Sequence, residues 1–370
     1  MQQNPIELAL VLFVKNNPLD PIVRSDSKEQ GLKAFLRKLR SQFGMFRRNA
    51  RVLFTFFLCK NQLSMKSEVL SLPCYGQTCV PVHKGHKIFD LRRGMVIKVF
   101  DRDVSASVVE GEIELLKGVS SLEFAPSIGK WNIQEKWYEE EYLDGTLDSS
   151  WKPLDSEALL KKFQSSIVEY LQTLVFFQPQ TITTSLKYLD EVSKILPSSG
   201  LAKRTSAEKE FSRITAFTES VVERIRMEGD RSIYLTFTHG DFVPANMLNA
   251  GKGIKIIDWE GAGPRTVLYD FFSFFFYRSV SRNISIATLV KEIGVAFPML
   301  ISRLTQGNPE MANALLSLEH IYRWNFYVEN LCRLVKREMT DNQLDILDYI
   351  LRSIQAFEMY ERHKTESYGN

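Results

Sequence analysis

Apolar residues recur at helical spacing in the second half of the chain. Between Leu159 and Leu174 they follow a period of 3.6 residues, which predicts an amphipathic helix. Asp155 is a suitable N-cap for this helix, and Pro179 is expected to end it. Further helices are predicted over residues 206–228, 287–304, 310–336 and 340–360.

Short apolar runs that are typical of strands precede this helical part. They lie at residues 80–82, 88–91 and 94–100. Residues 108–117 have the spacing of an amphipathic helix, and two more strand-like runs follow much later, at 234–237 and 254–257. The pattern therefore predicts a strand-rich part followed by a helix-rich part.

Polar residues with a chemical use follow the last two strand-like runs. The first run leads into THGDFVPAN at residues 238–246, and the second leads into IDWE at residues 257–260. Phosphoryl transfer from ATP needs such a set, because a carboxylate orients the attacking hydroxyl and two oxygen ligands hold Mg²⁺. The competing interpretation is that the aspartates cap turns, as Asp commonly does at strand ends.

The ordered motif resembles the aminoglycoside phosphotransferase and choline kinase superfamily. The resemblance rests on HGD, four residues, then Asn, on IDWE about a dozen residues later, and on GPRTVLYDFF at residues 263–272. It implies that Asp241 is the catalytic base and that Asn246 and Asp258 bind Mg²⁺. It also implies that His239 holds the loop and that Asp270 braces it by hydrogen bonding. The implied fold is α+β, two-lobed and protein-kinase-like, with a small antiparallel sheet in the N-terminal lobe and a larger, mainly helical C-terminal lobe.

In a fold of this kind the N-terminal lobe supplies a lysine that contacts the ATP phosphates and pairs with a helix glutamate. Lys98 lies in the apolar run 94–100, where a buried ammonium is costly unless it is paired. Glu112 is the expected partner, and Glu110 and Glu114 remain alternatives. The competing interpretation of Lys98 is a strand-edge lysine whose ammonium reaches water.

Two other parts of the nucleotide site are less distinct in the sequence. The loop expected at residues 83–87 has one glycine, where several would let the backbone wrap phosphates closely. Its lysines and histidines would meet phosphate by charge, or the loop is a plain hairpin turn. Residues 136–145 resemble the strand and hinge between the lobes, so backbone groups near Glu141 and Leu143 would bind the adenine edge.

Composition limits the classes of function. The chain has 370 residues, of which 44% are hydrophobic, and this is enough for two cores. Its formal net charge of +3 does not suggest nucleic acid as a partner. The four cysteines lack the spacing of a metal site and are expected to be reduced thiols. No secretion signal or membrane-spanning run is evident, which indicates a cytoplasmic protein.

The N-terminal region lies outside the part that resembles the superfamily. Residues 33–60 are basic and rich in aromatic residues, with no acidic residue among them. Such a stretch packs on the small lobe, lies on an anionic membrane at its inner face, or binds an anionic ligand, and the sequence leaves all three open. We expect an accessory region over residues 1–65, a nucleotide-binding lobe over 66–145, and a catalytic and substrate-binding lobe over 146–370.

The acceptor is expected to be a small molecule. Gly240 stands where a protein kinase has Arg, and only residues 261–265 separate Glu260 from Thr266, which is too short for a long activation loop. The form of the motif resembles members that act on sugars in surface-polysaccharide pathways. A choline-type or aminoglycoside-type kinase is the alternative enzyme, and a nucleotide-binding pseudokinase scaffold is the alternative from another class.

Overall fold

A computed structural model describes residues 74–82, 84–147, 156–194, 196, 208–250, 253–282, 284–341 and 344–368. Three expectations from the sequence lie outside the described residues. They are the accessory region 1–65 with its basic stretch 33–60, the N-cap Asp155, and the thiol of Cys59.

The first part of the described chain forms a sheet of five antiparallel strands in the order β1-β2-β3-β5-β4. The strands are β1 (Thr78–Val82), β2 (Gly85–Asp90), β3 (Met95–Phe100), β4 (Ile128–Asn132) and β5 (Trp137–Glu141). The central strand β3 is almost wholly buried, as its continuous apolar run predicts. Its register places Lys98 between Lys87 of β2 and Tyr138 of β5.

Helix α1 (Ala106–Val119) connects β3 to β4. Its buried residues, Val109, Ile113, Leu116 and Val119, recur at helical spacing and form one apolar face. The helix packs beside the short turn Trp259–Gly261, which belongs to the second part of the chain. Helix α1 therefore brings the small sheet into contact with the segment that follows Asp258.

The second part of the chain is mainly helical, with two small three-stranded sheets. The helices are α2 (Ser156–Lys162), α3 (Val168–Phe177), α4 (Ser185–Ser193), α5 (Glu208–Glu228), α6 (Tyr269–Arg282), α7 (Ile286–Gly307), α8 (Pro309–Ser317), α9 (Glu319–Asp341) and α10 (Leu344–Tyr368). The sheets are β6 (Thr146–Leu147), β9 (Met247–Asn249) and β10 (Ile254–Ile256), and β7 (Thr181–Thr184), β8 (Ser232–Thr238) and β11 (Gly263–Thr266). A small antiparallel sheet beside a larger helical part confirms the predicted α+β class.

Two helices differ from the sequence-based expectation. The helix predicted over residues 310–336 is interrupted at Leu318, which leaves helical geometry at φ −114° and ψ 20°. The helix predicted from Leu159 onward contains a π-helical turn at Phe163–Ile167, between α2 and α3. Neither position carries a Gly or Pro that would mark a break. The apolar spacing continues through both positions, so the sequence predicts uninterrupted helices there.

Helix α6 lies at the centre of the helical part. Its phenylalanines Phe271, Phe272, Phe274, Phe275 and Phe276 are all buried, so this helix is enclosed on every side rather than on one face. Asp270 lies in its first turn and is also buried. A helix held in this way gives Asp270 a fixed position. None of the described helices is both long enough and apolar enough to span a bilayer.

Candidate active site

The antiparallel pairing of β8 with β11 brings the two motif loops together. Thr238, the last residue of β8, lies opposite Gly263, the first residue of β11. The loop that follows β8 and begins at His239 therefore lies beside the turn that precedes β11 and contains Asp258. Two segments that are separated in the sequence thus form one edge of the helical part.

Buried side chains fix the backbone of the first loop. Asp270 accepts a hydrogen bond from the His239 amide at 2.6 Å and one from the Gly240 amide at 3.0 Å. The His239 Nδ1 accepts from the Asp241 amide at 3.2 Å, and its Nε2 lies 3.0 Å from the carbonyl oxygen of Ile257. This pattern places the ring proton on Nε2. Burial lowers the pKa of His239 despite the nearby Asp270 carboxylate, so the ring is neutral.

Gly240 is the only residue type that fits its position. Its φ of 79° lies in the left-handed region, and a Cβ would come within 2.3 Å of the Gly261 carbonyl oxygen. The same Cβ would lie 2.6 Å from Nη1 of Arg265, which occupies the space beside the loop. The glycine of the HGD motif therefore allows close contact between the two motif loops.

The predicted base and metal ligands lie together on these loops. Asn246 donates from its amide nitrogen to the Asp241 carbonyl oxygen at 2.9 Å and to Asp241 Oδ2 at 3.1 Å. Asp258 has a φ of 69°, a left-handed conformation that Asp adopts more readily than most residues. Burial raises the pKa of Asp258, Lys87 opposes this rise, and the carboxylates of Glu260 and Asp241 add to it. Strain and a raised pKa in one carboxylate are typical of a functional site.

The donor set fits a hard divalent cation such as Mg²⁺. Asn246 uses its amide nitrogen for Asp241, which leaves its carbonyl oxygen as a ligand, and Asp258 supplies carboxylate oxygens. No group of three or more His, Cys, Asp or Glu side chains in the described part of the chain is arranged to hold a metal. Mg²⁺ commonly takes one or two protein oxygens and completes its shell with phosphate oxygens and water. Two oxygen-bearing side chains therefore suffice here.

Lys98 is buried and paired with two carboxylates. Its Nζ lies 2.6 Å from Glu112 Oε1 and 2.6 Å from Glu260 Oε2, and only 1% of Lys98 is exposed. Burial opposes the charged form, but the two carboxylates outweigh it, so the pKa of Lys98 is raised. Of the three glutamates that the sequence left open, Glu112 is the one that reaches Lys98. Glu260 is a second partner that the sequence did not indicate.

Lys87 is a further basic residue of this site, and its location corrects an expectation from the sequence. The predicted loop 83–87 is shorter in the structure, because β2 begins at Gly85 and Lys87 lies within that strand. Its Nζ lies 3.5 Å from Glu140 and 4.0 Å from Asp258. Burial lowers the pKa of Lys87, but these carboxylates outweigh it and the pKa is raised. A lysine ammonium therefore lies between the end of β5 and the second motif loop.

The two hinge residues lie on the link from β5 to β6. The Glu141 carboxylate accepts from the Ser127 amide at 3.2 Å and from its hydroxyl at 3.1 Å, so it is tied to the start of β4. Leu143 is buried two residues further on. The side chain of Glu141 thus has a structural partner, and backbone groups of this link remain the groups expected to meet a base.

Two arginines approach the first motif loop from the helical part. Arg265 pairs with Glu329, its Nε lying 3.1 Å from Oε1, and burial raises the pKa of Glu329 to about 7 although Arg265 lowers it. Arg333 of α9 donates from Nη2 to Asp241 Oδ1 at 3.3 Å. The sequence contains no local signal for either contact, because both depend on how α9 packs against the loop.

A cavity of about 660 Å³ lies between α5, α9 and α10. Trp324 and Tyr327 line this cavity. Tyr327 is buried and donates to Glu361 at 2.9 Å. The residues that line the cavity do not include Asp241, so it is separate from the motif loops.

Comparison with known proteins gives one family and several solved structures. The chain resembles choline kinase LicA from Streptococcus pneumoniae at 15% identity and a TM-score of 0.46, covering 83% of this chain and 100% of that one. A choline kinase from Cryptosporidium parvum is 12% identical with a TM-score of 0.49, and the match covers 74% of this chain and 83% of that one. An aminoglycoside phosphotransferase complexed with ADP and hygromycin B is 14% identical with a TM-score of 0.44, and the match covers 81% of this chain and 97% of that one. No curated protein matches the sequence. Residues 113–292 match the model described as the phosphotransferase enzyme family, and this segment contains both motif loops.

Proposed function

We propose that the protein transfers the γ-phosphoryl group of ATP to a hydroxyl of a small molecule, from the premise that residues 113–292 match the model described as the phosphotransferase enzyme family. The observation that carries the proposal is the 2.6 Å contact between Lys98 and Glu260. Glu260 follows Asp258 by two residues, so the buried lysine of the small sheet lies against the metal motif of the helical part. A site that combines these groups suits the triphosphate of a nucleotide.

Each predicted site residue has a role in this proposal. Lys98, held by Glu112, contacts the phosphates, and the link at Glu141 and Leu143 meets the adenine. Asn246 and Asp258 hold Mg²⁺, which would neutralise charge on the phosphate oxygens. His239 and Asp270 hold the loop in place through the hydrogen bonds described above.

Asp241 acts as the general base in this scheme. Its carboxylate orients the acceptor hydroxyl and takes its proton as the oxygen bonds to the γ-phosphorus. The bond from the γ-phosphorus to the bridging oxygen breaks, and its electron pair leaves on ADP. The loop geometry fixes Asp241 before the acceptor arrives, so that little reorganisation accompanies the reaction.

A sugar or a surface-polysaccharide precursor is the acceptor class that we propose, with a choline-type or aminoglycoside-type substrate as the alternative. The turn Trp259–Gly261 is followed almost at once by β11 (Gly263–Thr266), which leaves no room for a peptide-docking segment between them.

We also propose the division into regions 1–65, 66–145 and 146–370, with residues 33–60 as a contact to an anionic membrane at its inner face.

An assay of ADP release tests the function. We expect Mg²⁺-dependent ADP formation with at least one acceptor in a panel of sugars, sugar nucleotides, amino alcohols and aminoglycosides, and its loss when EDTA removes the metal. Binding of a fluorescent ATP analogue is measured in parallel. Nucleotide binding without turnover on any acceptor would instead support the pseudokinase scaffold.

Replacement of Lys87 by Met is expected to raise the KM for ATP by about tenfold, because a half-buried cation beside Asp258 contributes a charge-assisted contact to the phosphates. Steady-state kinetics at saturating acceptor measures this change. Lys130→Met is the matched control, since Lys130 is an exposed lysine on β4 of the same sheet. An unchanged KM in a folded Lys87→Met protein would exclude Lys87 from the nucleotide site.

A further inference from the structure

Arg333 contacts the carboxylate oxygen of Asp241 that Asn246 leaves open. The two carboxylate oxygens of Asp241 have different partners, since Oδ2 accepts from Asn246 at 3.1 Å and Oδ1 accepts from Arg333 at 3.3 Å. Asn246 marks the proposed metal side. An acceptor hydroxyl that donates its hydrogen bond to Asp241 Oδ1 therefore lies next to the guanidinium of Arg333.

The Arg333 guanidinium is held in place and still has donors to offer. Its Nε donates to the Tyr269 hydroxyl at 3.1 Å, and Tyr269 is the buried first residue of α6. Burial lowers the pKa of Arg333, but Tyr269 and Asp241 outweigh it, so the group stays charged. Nη1 makes no hydrogen bond to any residue in the described part of the chain. The edge formed by Nη1 and Nη2 can therefore donate hydrogen bonds to a carboxylate or a phosphate.

The immediate surroundings suit an anion better than a cation. A narrow cavity of about 20 Å³ lies against Asp241 and Arg333, and of the described residues that line it Asp241 is the one carboxylate. Its phenylalanine rings do not form an open cage, because Phe326 stacks on Phe276 at 5.7 Å and both are buried. The other nearby guanidinium, that of Arg265, is already paired with Glu329.

We propose that Arg333 recognises an anionic group, a carboxylate or a phosphate, that the acceptor carries close to its reacting hydroxyl. This inference rests on the proposed function and narrows its acceptor class. An ammonium in the same position would face the guanidinium at short range and be repelled. Choline and aminoglycosides are disfavoured for this reason.

Acceptors that differ mainly in charge test this proposal. Glucuronate and glucose 6-phosphate are anionic, glucose is neutral, and glucosamine and choline are cationic. The expected order of kcat/KM is anionic, then neutral, then cationic, and comparison of glucuronate with glucose 6-phosphate separates carboxylate from phosphate. Saturation-transfer NMR with the non-hydrolysable analogue AMP-PNP gives the same comparison for binding alone. Equal or better binding and turnover of the cationic members would overturn the proposal.

Variants of Arg333 separate recognition of the acceptor from orientation of Asp241. In Arg333→Gln the ratio of kcat/KM for the anionic to the neutral acceptor should fall by about tenfold or more, since a charge-assisted hydrogen bond is lost. Arg333→Lys should retain part of the ratio, and Arg226→Gln, at an exposed arginine of α5, should retain all of it. An equal loss for every acceptor would assign Arg333 to positioning Asp241 only. Failure of the kinase function itself would appear differently, as absent turnover of every acceptor, anionic, neutral or cationic, by the wild-type protein.

Discussion

Asp241→Asn is expected to lower kcat by about 10²- to 10⁴-fold, the range found when a general base is removed. The amide has nearly the same shape as the carboxylate, so the loop should keep its fold through Asp270 and His239. It cannot take the proton of the hydroxyl, and it no longer balances the charge of Arg333. Initial rates of ADP release at saturating acceptor measure the loss.

Nucleotide binding separates this outcome from simple unfolding. The dissociation constant of a fluorescent ATP analogue should change little in Asp241→Asn, because Lys98 and Asp258 are left in place. Asp348→Asn is the matched control, since Asp348 is an exposed aspartate that pairs with Arg352 on its own helix, α10. Turnover near the wild-type value in Asp241→Asn would remove Asp241 from the role of base, and with it the proposed mechanism.

The motif residues could be predicted from the sequence because their chemistry is encoded locally. Asp241, Asn246 and Asp258 follow short apolar runs, and an oxygen ligand at the end of a strand is visible without the fold. The pairing of Lys98 with Glu112 can be predicted from the sequence only if the strand and the helix that follows it face each other. The periodicity of helix α1 indicates this, because it places the buried residues on one face.

The remaining parts of the site depend on register and on tertiary packing. The sequence predicts a loop position for Lys87, because it does not reveal that the hairpin turns at Lys84 and that β2 begins at Gly85. A register error of this size decides which face of the sheet a side chain occupies. Arg333 lies far from the motif in the sequence and reaches Asp241 only through the packing of α9. The break at Leu318 is likewise set by packing rather than by Gly or Pro.

Arg278→Met is expected to lower the free energy of unfolding by about 3–5 kcal/mol, the cost of leaving one partner of a buried ion pair without the other. Arg278 of α6 is 2% exposed and its Nη1 donates to Glu292 of α7, which is 0% exposed. Glu292 would keep only the hydroxyl of Ser156, at 3.0 Å, among its described partners. Denaturant unfolding followed by circular dichroism measures the loss.

A second substitution distinguishes an uncompensated charge from lost packing. In Arg278→Met with Glu292→Leu no buried charge remains, so the double variant should recover much of the stability, as apolar replacements of buried pairs often do. Arg226→Met, in an exposed pair with Glu223 on α5, is the control and should leave stability almost unchanged. At low temperature the kcat of folded Arg278→Met should match the wild type, because the pair anchors α6 without contacting the motif loops. A single variant as stable as the double would show that the ion pair does not hold α6 against α7.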